Sequence, residues 1–261
     1  MDVCSADELR YCSINAYPGE MPLRRRFIIL VVAGLLACSM LLGYIALEWF
    51  SSAVASSSGG YIRRWFEDPA GRPTLINDRV QCPGAPFILP SAGLIGLLWD
   101  DPAGPYNILA PHTGLDIFGA GAEGTDPVYA VYDGWLTRLE NWFSTVIIRH
   151  DDPLQPGRTI WTYYTHMAAR DGSESFVSAE FPPGTSGRFV ARGTLLGWQG
   201  EYSPGRAVGL HVHFSIVLGD ADGGFRNEAQ IANTLDPSPY FGMVLNNAAH
   251  PPRPIACDMA L

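Results

Sequence analysis

The sequence predicts a mainly β fold, an antiparallel β-sandwich or partly open barrel, preceded by one transmembrane helix. Short segments rich in β-branched and aromatic residues, several bounded by Gly, Pro or Asp, predict the strands. No amphipathic helix longer than two turns stands out after residue 82, and no internal repeat indicates a solenoid or propeller. Strands of this length and spacing favour antiparallel sheets. The six segments are residues 127–134, 135–140, 144–150, 159–166, 194–200 and 210–216.

An apolar run near the N-terminus predicts the helix. Residues 27–47 are 21 positions without a charge. A helix of that length measures about 31 Å, enough to cross a hydrocarbon core of roughly 30 Å. Three arginines, residues 24–26, precede the run and Glu48 follows it. The positive-inside rule therefore predicts that residues 1–23 lie in the cytoplasm and that the chain after about residue 50 lies outside.

A cleaved signal peptide and a lipoprotein signal are the alternatives to a membrane anchor, while the arginines and the serines that follow argue against a buried soluble helix. Ala53-Val54-Ala55 resembles a signal-peptide cleavage site, although the run exceeds the usual length of about 7–15 residues. Leu35-Leu36-Ala37-Cys38 resembles a lipobox, although the run stays apolar beyond the cysteine. We favour an uncleaved single-pass anchor in the cell membrane. In all three cases the downstream domain lies outside the cytoplasm.

These features divide the chain into six predicted segments. Serine and glycine cannot bury enough apolar area to fold, so the stretch rich in both is predicted to be a flexible linker. The segments are a cytoplasmic N-terminal segment (1–23), the transmembrane anchor (24–50), the Ser/Gly linker (51–60), a pre-domain segment (61–81), the main folded domain (82–241) and a C-terminal tail (242–261). The pre-domain segment is expected to form a short helix followed by coil packed on the domain.

The charge balance excludes one class of partner. The formal net charge is -9 at pH 7, whereas proteins that bind nucleic acid normally present a basic face. We therefore expect no nucleic-acid partner.

Two cysteines bracket the predicted domain. Cys82 and Cys257 are the only cysteines on the predicted outer side of the membrane, where an oxidising compartment permits a bridge. We predict a Cys82–Cys257 disulfide, the alternative being two unrelated free thiols.

Histidines are concentrated in three short motifs. Four of the six fall in HTGLD (112–116), YTH (164–166) and HVHF (211–214). The last motif belongs to a predicted strand, so His211 and His213 project from the same face about 7 Å apart and can both reach one small site. Gly114 is expected to give the backbone the freedom to bring His112 and Asp116 together. A hydrolytic zinc site needs three N or O ligands and one open position, which this set can supply.

A structural role competes with metal binding for any single histidine. A lone histidine on a strand is more often a hydrogen-bonded structural residue than a ligand, and only the coincidence of three motifs favours a metal site. His150 is interpreted as a surface residue at a strand end, and His250 as incidental in a Pro-rich tail.

The three motifs, in this order, resemble those of the M23 zinc metallopeptidases of the lysostaphin and LytM type. That family is marked by H-x-x-x-D, then Y-x-H, then H-x-H-F, and the resemblance covers residues 86–241. It implies a LytM-like fold and one Zn²⁺ per chain. The implied metal ligands are His112, Asp116 and His213, and the implied non-ligand catalytic histidines are His166 and His211.

Tyr106 is a further candidate. It lies six residues before His112, and some relatives place a catalytic tyrosine near that position. The resemblance implies a role in stabilising the oxyanion. A loop tyrosine with no role is the alternative.

The resemblance also implies the substrate. Related enzymes cut peptides of bacterial peptidoglycan, and a membrane-anchored outward domain is well placed to reach that polymer. The leading hypothesis is a zinc endopeptidase of the cell wall, with a regulatory envelope protein as a possible partner. One alternative is a non-catalytic LytM-like envelope module that activates or recruits another hydrolase. Another is a structural zinc domain, which would normally close its site with four protein ligands.

Overall fold

The structure, a computed structural model, describes residues 23–54 and 56–258, so the predicted cytoplasmic segment lies almost wholly outside the described residues. The helices are α1 (Leu23–Val54), α2 (Ser56–Glu67) and α3 (Ser238–Phe241). The strands are β1 (Leu94–Ile95), β2 (Leu115–Phe118), β3 (Pro127–Tyr129), β4 (Gly134–Thr137), β5 (Val146–Asp151), β6 (Thr159–Thr165), β7 (Arg188–Val190), β8 (Leu195–Trp198), β9 (Gly200–Ser203) and β10 (Arg206–Leu218).

The chain divides into two compact units between Leu47 and Glu48, and each is described by itself. The first contains the apolar part of α1, of which Leu23–Leu47, 25 residues, is long and apolar enough to cross a membrane. Length and composition alone fit a membrane span and a signal sequence equally well.

Two antiparallel sheets form the framework of the second unit, which confirms the predicted mainly β fold. The large sheet has eight strands in the order β1-β2-β10-β6-β5-β4-β7, with β9 also paired to β10. The small sheet pairs β3 with β8. All of these strand pairs are antiparallel.

The core lies against one face of the large sheet. Val212 and Phe214 of β10, which are fully buried, pack there with residues of the small sheet such as Val128 and Leu196. Because strand side chains alternate, His211 and His213 lie on the opposite face. The apolar positions of β10 therefore determine which way its histidines point.

Helix α2 differs from the predicted flexible linker, because Ser56–Gly60 are its first residues. The Ser58 hydroxyl donates a hydrogen bond to the buried Asp101 carboxylate. Two turns further on, Trp65 is 1% exposed and packs with Leu75 and Leu94. These contacts stabilise a helix that serine and glycine alone would not form.

The C-terminal residues also belong to the domain, rather than to a separate tail. Met243, Leu245 and Ile255 are part of the core. Cys82 and Cys257 form the predicted disulfide, with Cα atoms 5.5 Å apart and a sequence separation of 175. In the chain-entropy description a loop of that size stabilises the fold by about 5 kcal/mol.

His150 is a buried core residue, so its interpretation as a surface residue was wrong. It is 0% exposed. Its Nδ1–H donates to the Asp133 carbonyl at 2.7 Å, and Nε2 accepts from the Thr162 hydroxyl at 2.7 Å. Burial lowers the pKa of His150 to about 4. The strand end at Asp151 suggested exposure, but side chains from other parts of the chain, among them Phe87 and Tyr132, cover this ring.

The depressed pKa of His150 predicts a loss of stability in acid. The His150 imidazole is protonated near pH 6.5 in the unfolded chain, but only near pH 4 in the folded chain. Stability therefore falls as the pH decreases through this window, by roughly 3 kcal/mol in total. Urea unfolding of the full chain in detergent between pH 7 and pH 4, followed by tryptophan fluorescence, measures the loss.

His150→Asn is the matched control, because asparagine can keep the bond to the Asp133 carbonyl but does not titrate. Other histidines contribute equally to both proteins and cancel in the difference. The stability difference between wild type and variant should shrink as the pH decreases. Parallel curves for the two proteins would contradict the assignment.

Candidate metal centre

Three polar side chains meet where β2 and β10 pair. Asp116 of β2 lies directly opposite His213 of β10 in the antiparallel register. His112 precedes β2 in a segment held by backbone hydrogen bonds to Asp100 and Asp101. The three residues, separated by up to 101 positions along the chain, could hold a metal ion together.

The donor atoms form a small triangle. His112 Nε2 is 3.0 Å from Asp116 Oδ1 and 2.9 Å from His213 Nδ1, which is itself 2.9 Å from the same Oδ1. A tetrahedral zinc ion with bonds of about 2.0–2.1 Å requires ligand atoms about 3.3 Å apart. An opening of a few tenths of an ångström brings the triangle to that size. The donor set, two imidazoles and one carboxylate, is that of a zinc site with an open position.

Both imidazoles in the triangle have a partner on their second nitrogen. His112 Nδ1–H donates to the Leu98 carbonyl at 2.9 Å. His213 Nε2 lies 2.9 Å from the hydroxyl of Ser215, which is 1% exposed. These bonds orient the rings so that the remaining nitrogens point toward Asp116, as metal-ligating histidines require.

Gly114 is needed here for a different reason from the one predicted. Its φ is not in the left-handed region. Instead, a Cβ at this position would lie 2.0 Å from the Phe214 carbonyl oxygen and 2.5 Å from the Ser215 hydroxyl. A side chain would push the loop away from β10 and separate the donors.

Charge is distributed unevenly over the three donors. Burial opposes ionisation of Asp116, but the neighbouring His112 and His211 outweigh it and hold the pKa of this carboxyl well below its usual range. Burial lowers the pKa of His213. His112 is buried too, but its attraction to Asp116 raises its pKa. The site thus offers one carboxylate and a neutral His213, while a cation must compete with a proton at His112.

His166 and His211 lie beside the triangle with their ring centroids 4.6 Å apart. His166 Nδ1–H donates to the Tyr202 carbonyl at 2.7 Å and His211 Nδ1–H to the Gly209 carbonyl at 2.6 Å. The Nε2 atom of His211 is 3.6 Å from Asp116 Oδ1. Both rings therefore keep Nε2 available as an acceptor.

His166 is held in an unusual state. Its φ of 73° lies in the left-handed region, which non-glycine residues rarely adopt. Burial, then the nearby His211 and His213, lowers the pKa of His166 to about 3. The ring is therefore neutral at neutral pH, and with Nδ1–H donating to the Tyr202 carbonyl its Nε2 carries a lone pair.

Tyr106 is brought to the same place. Its ring centroid is 4.8 Å from that of His112, and the side chain lines both cavities next to the metal centre. All six residues singled out from the sequence thus converge.

Two cavities flank the centre. The first cavity, of about 380 Å³, is lined by apolar side chains that include Ile62, Phe66, Leu97 and Phe118. The second cavity, of about 280 Å³, is lined by both apolar and polar side chains, and the polar ones include Thr113, Tyr163, Thr165 and Glu228. Asp116 and His211 face the first cavity and His213 faces the second, so the donor triangle is open to a groove on both sides.

Several neighbours of the centre were not identified from the sequence. Ser215, Phe118, Phe66 and Glu228 all lie outside the three motifs. Only Ser215 carried a readable signal, since it shares strand parity with His211 and His213 in HVHFS. Phe118 stacks on the His211 ring at 5.0 Å, a contact that depends on strand pairing.

No family model matches the chain, and no curated protein matches it. Among solved structures the chain is similar to lysostaphin, an antimicrobial peptidase from Staphylococcus simulans. The identity is 23% and the TM-score 0.34, over 53% of this chain and 46% of that one. The chain thus spans less than half the length of that structure.

Two further solved structures are similar to the chain. One is a Pseudomonas aeruginosa protein assigned to peptidase M23, with 21% identity and a TM-score of 0.35 over 70% of this chain and 60% of that one. The other is the catalytic domain of the prophage-encoded M23 protein EnpA from Enterococcus faecalis, with 22% identity and a TM-score of 0.33 over 58% of this chain and 96% of that one. The likeness to M23 structures that the motifs predicted is found, and at these identities it concerns the fold alone.

The contact between Ser215 and His213 predicts a role in metal affinity. Ser215→Ala removes the partner of His213 Nε2, so the ring loses its preferred orientation. Zinc affinity should fall by about 10- to 100-fold, as measured by competition with a chromophoric chelator. Ser178→Ala, which changes another buried serine away from the centre, should leave the affinity unchanged. Equal affinities for the two variants would exclude this role.

Proposed function

We propose that this protein is a zinc-dependent endopeptidase that hydrolyses peptide bonds of bacterial peptidoglycan outside the cytoplasm. One observation carries the proposal. A three-donor triangle, open to a groove on both sides, has two further imidazoles, those of His166 and His211, at its edge. A structural zinc site would close its fourth position with protein, whereas a hydrolytic site leaves it open.

His112, Asp116 and His213 would hold the ion. When bound, zinc supplies Lewis acidity for the attack of water on a carbonyl. The carboxylate of Asp116 provides the one negative charge among the ligands. Ser215 and the Leu98 carbonyl keep the two imidazoles in the tautomers that binding requires.

Proton transfer falls to His166 and His211. Both rings donate through Nδ1 to backbone carbonyls, and this leaves Nε2 to accept a proton from water and return it to the leaving amine. Their position beside the triangle matches that task, since a general base must lie within hydrogen-bond reach of the attacking water. Tyr106, between the two cavities, would donate its hydroxyl to the developing oxyanion.

The peptidoglycan substrate and the location rest on the sequence. The three motifs resemble those of enzymes that act on this polymer. The apolar helix, if it spans the membrane with its arginines inside, places the domain on the outer side. Filled positions for all five histidine and aspartate residues favour an active enzyme over a non-catalytic envelope module.

Two histidine variants separate metal binding from catalysis. His112→Ala should lose bound zinc and hydrolysis together, because it removes a ligand. His211→Ala should keep most zinc and lose hydrolysis by at least about 100-fold, because it removes only a proton acceptor. The full chain in detergent would be assayed for zinc content and for release of peptides from purified peptidoglycan.

His250→Asn is the control, since His250 is exposed and lies outside the centre. Normal hydrolysis by His112→Ala would refute the proposal. A wild-type protein that binds zinc but releases nothing, while it stimulates a second hydrolase, would establish the non-catalytic alternative instead.

The position of Tyr106 predicts an effect on turnover. Tyr106→Phe keeps the ring against His112 but removes the hydroxyl that would stabilise the oxyanion. We expect kcat to fall by about 100-fold while KM and zinc content change little. A loss confined to KM would instead assign Tyr106 to substrate binding.

A further inference from the structure

The two cavities beside the metal centre differ in two side chains: Phe66 lines only the first cavity, and Glu228 lines only the second. Tyr106 and His166 line both of them, so the cavities are the two halves of one groove with the donor triangle between them. A peptide whose scissile bond lies at the metal must extend into both halves. The properties of each half therefore select the residues on one side of that bond.

Helix α2 builds a wall of the first cavity. Phe66 is 46% exposed, and its ring meets Phe118 edge-on with centroids 5.7 Å apart. Phe118 in turn stacks on His211. Among the residues that the structure describes, Asp116 of the donor triangle is the only carboxylate that lines this cavity, and no lysine or arginine lines it. Asp116 would be taken up as a ligand of a bound metal, and Ile62, Phe66 and Leu97 leave the rest of this half suited to an apolar side chain.

Contacts of helix α2 with the rest of the unit hold this wall in place. Trp65, next to Phe66 in sequence, is 1% exposed in a small core with Leu75 and Leu94. The hydrogen bond from Ser58 to Asp101 holds the first turn of the helix. The Arg253 guanidinium lies 5.3 Å from the ring centroid of Tyr61. With both ends of α2 held, Phe66 presents a constant surface to the groove.

Glu228 gives the second cavity its charge. In the described part of the chain it is the only acidic side chain that lines this cavity, and no lysine or arginine lines it. Within residues 23–54 and 56–258, its half-buried carboxylate makes no ion pair. Burial, and after it the charge of Glu228, raises the pKa of Tyr163 to about 12, which agrees with a carboxylate close to the Tyr163 hydroxyl.

The floor of the second cavity adds hydrogen-bond acceptors. Tyr163 and Thr165 lie on the same face of β6, and Thr165 is directly opposite His213 in the register. A carboxylate without a cation, beside hydroxyl oxygens, is the environment that binds an ammonium group.

We propose that the groove selects peptides with an apolar side chain in the first cavity, against Phe66, and a primary ammonium in the second, against Glu228. This proposal rests on the proposed peptidase function and names the substrate class of the same site. Glu228 and Phe66 are specificity-determining residues, and neither is a catalytic residue.

Synthetic peptides that vary the two features independently test the proposal. Capped alanine-based hexapeptides carry Leu or Ser on one side of the central bond and Lys or Nε-acetyl-Lys on the other, each in both orders. Uncapped versions distinguish an N-terminal ammonium from one on a side chain. The full-length zinc protein in detergent should prefer Leu over Ser by about 10-fold and Lys over Nε-acetyl-Lys by about 5-fold, both measured as kcat/KM.

Each variant should abolish one preference and keep the other. Glu228→Gln removes the preference for Lys, and Phe66→Ala, with Phe66→Leu as the milder change, removes the preference for Leu. The matched controls are Glu140→Gln and Phe189→Ala, which alter exposed residues that line neither cavity. Zinc content checks that every variant is folded. Preferences that survive their own variant, or that both variants reduce alike, would overturn the proposal.

A binding measurement separates this proposal from the proposed function. Dissociation constants for the same peptides are measured by calorimetry on the His211→Ala background, with and without Glu228→Gln or Phe66→Ala. Discrimination in binding without cleavage by the wild type would support the groove assignment and refute the peptidase. Cleavage by the wild type without discrimination between the peptides would support the peptidase and refute the groove assignment.

Discussion

The register between β2 and β10 is the constraint on which the candidate site depends. It places Asp116 directly opposite His213, although 97 positions separate them in the chain. A slip of one residue would turn every side chain of one strand to the other face. The buried positions on β10, Val212 and Phe214, would then face the groove while the histidines entered the core. Burial of the apolar face of β10 thus fixes the register and keeps the histidines on its polar face in position.

The same sheet also carries the groove. Its outer face holds the donor triangle, the two further imidazoles and the hydroxyls of β6, and the loops and α2 rise on either side. Because α2 follows the apolar helix directly in the chain, a segment that could have served only as a spacer becomes a wall of the groove. The segment before the sheets thereby lines the groove beside the candidate metal centre.

Features encoded over a few residues were predictable. Strand alternation placed His211 and His213 on one face, and the apolar run indicated α1. The pairing of Cys82 with Cys257 followed from their being the two cysteines on the predicted outer side of the membrane. Predictions whose outcome depends on distant parts of the chain were less accurate. The Ser/Gly stretch enters α2 because Ser58 and Trp65 find buried partners, and His150 is buried because distant elements cover the strand end.

By itself the sequence determined the donor types, their parity on the strands and the mainly β character of the domain, because these depend on residue identity and local periodicity. Only the tertiary structure decided that the donors form one triangle, that Ser215 supports His213 and that Phe66 and Glu228 face opposite halves of one groove. Such contacts join positions far apart in the chain. They arise only when the strands pair in one register, and burial of the apolar core excludes every other register.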